Sequence, residues 1–206
     1  MDARADRVVY RGRRVRPPTV STYVILNKPS GYLVSAGDPH HSRTVYDLLT
    51  ALPKRVFPVG RLDLDTRGIL MLTDDGDLAY RLMHPRYEVE KTYRAFVLGK
   101  PAAHRIRQLC RGVSLEDGMT APARVRLVSA TEGNSALEIT LHEGRKRQVK
   151  RMCEAIGHPV RGLERVAFAG MTARDVASGQ WRHLTPAEVR RLQALVGLDP
   201  DAAGET

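Results

Sequence analysis

The chain has 206 residues, 42% of them hydrophobic, and a net charge of +10. That length suits one domain, or one domain of two lobes, around a real core. No apolar run approaches the roughly 18–20 residues that cross a bilayer, and the opening MDARADRVVYRGRRVR lacks the apolar centre of a secretion signal; the sequence therefore predicts a cytoplasmic protein with no membrane partner.

In chain order, residues 1–22 read as a basic arm with a short VVYRGRRV ribbon closed by Pro17-Pro18. A β-type run at 23–27 ends in the turn signal Lys28-Pro29-Ser30-Gly31. Thr44 opens an expected helix over 44–52, with Asp47 as a weak capping box, and Pro53 and Pro58 break it. Residues 60–73 are a turn running into the apolar strand 69–72, followed by a short helix near 77–84. A strand over 91–98, a helix over 101–111 and strands over 121–129 and 135–142 come next.

Residues 145–157 have helical periodicity, with Val149, Met152, Cys153 and Ile156 on one face and Arg147, Lys150, Arg151 and Glu154 largely on the other. A strand follows near 159–168. Thr185-Pro186-Ala187-Glu188 combines an N-cap, a first-position Pro and a third-position Glu, so a last helix starts there. Residues 199–206 read as a polar tail. Strands and helices are interspersed without strict alternation, which predicts an α+β domain with a mostly antiparallel or mixed sheet flanked by helices.

The positive charge is concentrated. Residues 1–16 carry six Arg against two Asp, and residues 145–165 carry five Arg and two Lys against two Glu. Localised charge of this kind reads as a polyanion footprint; the alternative is a solvated tail plus one charged helix face. Cys110 and Cys153 belong to no C-x-x-C pair and have no His at ligand spacing, so both read as packed thiols and no metal site is expected.

The densest polar cluster is Gly60-Arg61-Leu62-Asp63-Leu64-Asp65-Thr66-Arg67-Gly68, between glycines and just ahead of an apolar strand. Loops held by a rigid sheet edge are common sites of catalysis. A calcium loop fits poorly, because Arg67 falls on a ligand position and the strand enters too soon. A glycosidase pair also fits poorly, because two carboxylates so close in sequence do not flank a bond from two sides. A plain charged turn with Asp–Arg pairs stays open on these residues alone.

Gly60-Arg61-Leu62-Asp63 with Thr66, Gly68 and the strand 69–73 closely resembles the signature loop of the RsuA-type pseudouridine synthases. Three more blocks match in order: Leu26-Asn27-Lys28-Pro29-Ser30-Gly31; His84-Pro85 with Lys91-Thr92-Tyr93; and Glu143-Gly144-Arg145-Lys146-Arg147-Gln148-Val149-Lys150-Arg151-Met152, extended by Gly157 and Leu163-Glu164-Arg165. The resemblance spans residues 23–184. It implies a pseudouridine-synthase catalytic domain over 23–198 in two lobes, isomerising one uridine of rRNA, with large-subunit RNA expected ahead of small-subunit RNA, and with no cofactor.

By the same resemblance, Asp63 is the catalytic aspartate, Tyr93 stacks on the target uracil and assists loss of the carbon-5 proton, and Lys150 pairs with the aspartate. Arg61 helps place the flipped nucleotide, and Arg145, Lys146, Arg147 and Arg151 remain as phosphate contacts, which position RNA without reading it. Read without the resemblance, Lys150 is equally a solvated helix face and Tyr93 a half-buried strand residue.

The chemistry suits these residue types. Uracil must leave ribose, turn over and rejoin through carbon, which takes one anionic group, a lid and a proton acceptor. Many relatives carry a complete small RNA-binding domain ahead of the catalytic part; here only the ribbon within residues 8–15 resembles its end, so the branch lacking that domain is expected. The partner is rRNA or a pre-ribosomal particle, and the protein a monomer. A rival from another class is a non-catalytic RNA-binding or ribosome-assembly protein on the same fold; a weaker one is a base-releasing hydrolase.

Overall fold

The computed structural model describes residues 8–10, 13–15, 21–35 and 43–198. Much of the expected arm, including Pro17-Pro18, and all of the expected tail lie outside them. Within the arm, β1 (Val8–Tyr10) and β2 (Arg13–Val15) pair antiparallel where the ribbon was expected.

The body begins with β3 (Tyr23–Lys28), a 3₁₀ turn (Val45–Leu48), β4 (Phe57–Pro58) and β5 (Arg67–Thr73). It continues through α1 (Gly76–Met83), a second 3₁₀ turn (Pro85–Tyr87), β6 (Lys91–Leu98) and α2 (Ala103–Arg111). A small hairpin of β7 (Ser114–Leu115) and β8 (Gly118–Met119) leads to β9 (Arg124–Ala130) and β10 (Asn134–Leu141). The chain closes with α3 (Gln148–Ala155), β11 (Val160–Phe168), β12 (Trp181–His183) and α4 (Pro186–Leu195).

Among the described residues the main sheet has eight strands in the order β12-β3-β5-β11-β6-β10-β9, with β4 added on β5. Every pairing is antiparallel except β5 with β11, which is parallel and joins through Glu164 to Arg67 and Arg165 to Gly68. This is the mixed α+β sheet expected from the sequence.

That short parallel seam divides the molecule. On one side of it, β5 is buried on both faces, as a continuous apolar run requires. Ile69 and Met71 meet α1 and α4 through Leu78, Leu82 and Leu192, while Leu70 and Leu72 meet Val45, Leu49 and Leu62 on the opposite face. On the other side, Ala95, Val97, Leu137 and Ile139 pack against Leu109 of α2 and Val149, Met152 and Cys153 of α3. Each fully buried Leu or Ile contributes about 1.5–3 kcal/mol, so both lobes carry cores of their own.

Capping follows the sequence where the motif is strong. Asp75 accepts from Leu78 N at 3.0 Å to start α1, and Thr185 with Glu188 forms the capping box of α4. The helix expected over 44–52 is instead the 3₁₀ turn Val45–Leu48, although Thr44 N still donates to Asp47 at 2.6 Å. Its successor bonds span three residues, as Leu49 N to Tyr46 O and Leu52 N to Leu49 O, and Pro53 leaves no room for an α-helical turn. Likewise α3 starts at Gln148 and not at 145, because Arg147 adopts the left-handed region with φ 52°. Both cysteines are free thiols, and burial pushes that of Cys153 up to about 12.

Candidate active site

The cluster that the sequence singled out, residues 60–66, is a loop fastened at three levels. Leu62 is buried in the core that β5 shares with Val45 and Leu49. Thr66 N donates to Asp63 O at 3.0 Å, and Gly31 N donates to Leu64 O at 2.8 Å, tying the loop to the turn after β3.

The third fastening is Lys28, which sequence reasoning treated only as part of a turn. It has no exposed surface, and its Nζ donates to the carbonyls of Thr66 at 2.8 Å, Pro29 at 3.1 Å, and Asp63 and Leu64 at 3.3 Å each. Burial lowers its pKa to about 8, against the carboxylates of Asp65 and Asp63, which hold it up. A lysine at the last position of an apolar strand, followed by Pro, was the one available signal.

Gly68, at the start of β5, is obligatory. Its φ is +107°, and a Cβ there would lie 2.2 Å from the Arg165 carbonyl across the parallel seam. Only a hydrogen at this position lets β5 and β11 meet, and their meeting fixes where the loop leaves the sheet.

Held this way, Asp63 lies 3.4 Å from Lys150 Nζ, and Asp65 lies nearer, at 2.5 Å from the same nitrogen. The lysine is therefore shared by both loop carboxylates, with the tighter contact to Asp65, where the sequence pointed to Asp63 alone. Its side chain is 11% exposed, so it does not belong to a solvated helix face. Burial raises the Asp65 carboxyl, but the hydrogen bond and charge of Lys150, with Arg147 beyond it, outweigh burial and leave it below the usual range.

A cavity of about 1280 Å³ opens beside the loop. Asp63, Tyr93, Lys91, Arg165, Lys146 and Arg147 are among its lining residues, and Arg61 lines it as well. Tyr93 is half-buried and packs against the core clusters of both lobes, so its ring stands at their junction. Arg61, Lys146 and Arg147 are exposed and make no ion pair among the described residues.

Arg145 and Arg151, expected from the sequence as phosphate contacts, are both ion-paired within the protein. Arg151 grips Asp117 with both terminal nitrogens at 2.9 Å. Arg145 reaches Glu143 at 3.2 Å, Asp117 at 3.4 Å, and the carbonyls of Gly118 at 3.1 Å and Met119 at 2.6 Å. Their donors hold the β7–β8 hairpin against α3. The preceding turn is organised by Glu143, which accepts from Ala121 N at 3.0 Å and from the Gln148 amide. The partner residue Asp117 is far away in sequence, and no local pattern announces it.

Among the described residues no group of three or more His, Cys, Asp and Glu side chains is placed to hold a metal ion, and no helix is long and apolar enough to cross a membrane. The arrangement supplies two carboxylates sharing a largely buried ammonium, an aromatic ring, and cations along one cavity.

The family described as RNA pseudouridylate synthase matches residues 22–155. The chain belongs to that family. The synthase is 45% identical over 193 residues to "Ribosomal large subunit pseudouridine synthase B" of Bacillus subtilis (strain 168), covering 93% of this chain and 79% of that protein. It is 43% identical over 194 residues to "Uncharacterized RNA pseudouridine synthase" of Aquifex aeolicus (strain VF5), covering 94% and 78%. A solved structure titled "Crystal structure of pseudouridylate synthase" superposes with a TM-score of 0.76 at 31% identity, covering 87% of this chain and 76% of that one.

Proposed function

We propose that the synthase converts a specific uridine of large-subunit rRNA to pseudouridine, with Asp63 as the attacking or stabilising carboxylate, Lys150 as its cationic partner and Tyr93 as the aromatic lid. The observation that carries this reading is the ammonium of Lys150 at 3.4 Å from Asp63, with Asp63 and Tyr93 lining one cavity. The name of the Bacillus subtilis relative supports the large-subunit target.

A uridine buried in folded RNA must first be extruded, at a cost of a few kcal/mol, and stacking on Tyr93 returns about 1–3 kcal/mol. Arg61, Lys146 and Arg147 are the free cations of the rim and are assigned to phosphate. Arg145 and Arg151 serve through Asp117 by fixing the hairpin beside that rim. The basic segment within residues 1–22 adds to the RNA footprint of the catalytic domain over 23–198, and the protein works as a cytoplasmic monomer on rRNA or an assembling particle.

Asp63→Asn tests the reading. It is expected to fold and to bind rRNA as the wild type does, to release no tritium from carbon-5-labelled uridine, and to form no pseudouridine. Turnover at the wild-type rate would remove Asp63 from the chemistry. A wild-type protein that binds rRNA and releases no tritium would favour the non-catalytic binder.

A further inference from the structure

Lys91 and Arg165 have no role in the reading above, yet both line the cavity. Alternation along β6 puts Lys91 on the same side as Tyr93. Arg165 is the direct cross-strand partner of Tyr93 on β11, so it shares that side too. Two cations thus flank the ring proposed to cover the uracil.

Neither cation is neutralised. Arg165 is 3% exposed; its Nε donates to Ile69 O at 2.9 Å and its guanidinium lies 5.0 Å from the centre of the Phe168 ring. Its buried Nη2 has no hydrogen-bond partner among the described residues. Lys91 Nζ donates to the carbonyls of Val89 at 2.8 Å and His142 at 3.2 Å, which uses two of its three protons.

No carboxylate of the described residues lies within ion-pairing distance of either one. The acids of the cavity contact other cations: Asp63 and Asp65 share Lys150, and Glu143 pairs with Arg145. Burial, and then the charge of Arg165, lower the pKa of Lys91 to about 8. Charge withdrawn from water is normally paired. A cationic couple without a carboxylate partner, Arg165 buried and Lys91 half-buried, beside a reaction centre is a place prepared for negative charge that the reaction itself creates.

We propose that Lys91 and Arg165 form an anion subsite that stabilises the uracil while it is detached from ribose as a negatively charged base. The inference rests on the assignment of Asp63 as the catalytic carboxylate. Heterolysis of the C1′–N1 bond leaves its electron pair on the pyrimidine, spread over N1, O2 and O4, and the Asp63 carboxylate bonds to C1′. After the base turns, C5 bonds to C1′ and displaces the carboxylate; the C5 proton leaves and N1 takes up one proton, so the sum is an isomerisation. Lys91 supplies its remaining proton to the anion as a hydrogen-bond donor, and Arg165 acts through its charge from behind Tyr93. The rim cations Lys146 and Arg147, which are exposed, suit phosphate; the more deeply set couple suits the base.

The test is a single-turnover comparison on an RNA that wild type converts, carrying either uridine or 5-fluorouridine at the target, scored by loss of the intact target nucleoside. Fluorine withdraws electrons and makes the base a better leaving group. Lys91→Met is expected to be about 100-fold slower than wild type on uridine, with RNA affinity within about threefold, and its deficit on 5-fluorouridine is expected to shrink to under about tenfold. Lys91→Arg, which keeps the charge, is expected to recover most of the rate, and Lys91→Gln, which keeps a donor without charge, to follow Lys91→Met. Equal deficits on both bases, a defect confined to RNA affinity, or a Lys91→Arg protein as slow as Lys91→Met would each overturn the subsite. None of these outcomes touches the wider reading, which fails separately if Asp63→Asn retains turnover.

Discussion

Lys28→Met is the perturbation that most directly probes how the active loop is held. Methionine fills nearly the same volume but removes the ammonium from four main-chain carbonyls. Two of these keep another donor, since Asp63 O also accepts from Thr66 N and Leu64 O from Gly31 N. The carbonyls of Pro29 and Thr66, at 3.1 and 2.8 Å from Nζ, lose the charged donor outright. Hydrogen bonds from a charged donor are worth about 1.5–3 kcal/mol each, and release of a buried ammonium offsets part of the loss, so the net destabilisation is about 2–4 kcal/mol. The effect on turnover is larger than that figure suggests, because the loop that carries Asp63 loses its anchor. A displacement of about 1 Å costs about 100-fold in rate. Urea unfolding gives the stability, and single-turnover pseudouridine formation gives the rate. A variant within threefold of wild type in rate and unchanged in urea midpoint would refute the anchoring role.

Three further outcomes follow from the same geometry. Lys28 titrates near 8 in the folded protein, below the value of about 10.4 for an unfolded lysine. Between these values the unfolded chain binds the extra proton and folding is favoured as pH rises, so the stability of wild type relative to Lys28→Met should grow by about 2–3 kcal/mol from pH 7 to pH 10. Lys91 shifts in the same window but is common to both proteins, and a flat difference would contradict the shift. Gly68→Ala should cost about 2–5 kcal/mol by combining a positive φ with a clash at the Arg165 carbonyl, and a melting temperature within about 4 °C of wild type, the smallest shift the expected cost allows, would be inconsistent with that seam. Arg147→Gly should gain about 1 kcal/mol by relieving φ 52°. It should also lower the magnitude of the slope of log affinity against log salt by about 0.7–0.9, as one phosphate contact is lost; an unaltered slope would take Arg147 off the RNA.

The strands and helices of the body were legible wherever apolar periodicity was long or a cap was strong, as in β5, β6 and α4. The 3₁₀ turn at Val45–Leu48 was misread because its cap residues are those of a helix, while the length available before Pro53 is not. The strands β7, β8 and β12 were missed because two or three residues give no period to read. In the site, the loop, Tyr93 and Lys150 were found through their motifs. The division of Lys150 between two carboxylates was not, since it depends on sub-ångström placement across 85 residues of sequence. The clamp on Asp117 and the role of Lys28 were hidden for a related reason: a basic side chain reads as solvated until its distant partner is known.

The grip of Lys28 is exerted wholly on main-chain oxygens. Such a clasp is blind to side-chain identity. The side chain of residue 64 is therefore at liberty to change while the aspartate beside it keeps its aim, whereas that of Asp65 is tied to Lys150. The aim of the loop thus rests on backbone that any residue at position 64 would supply.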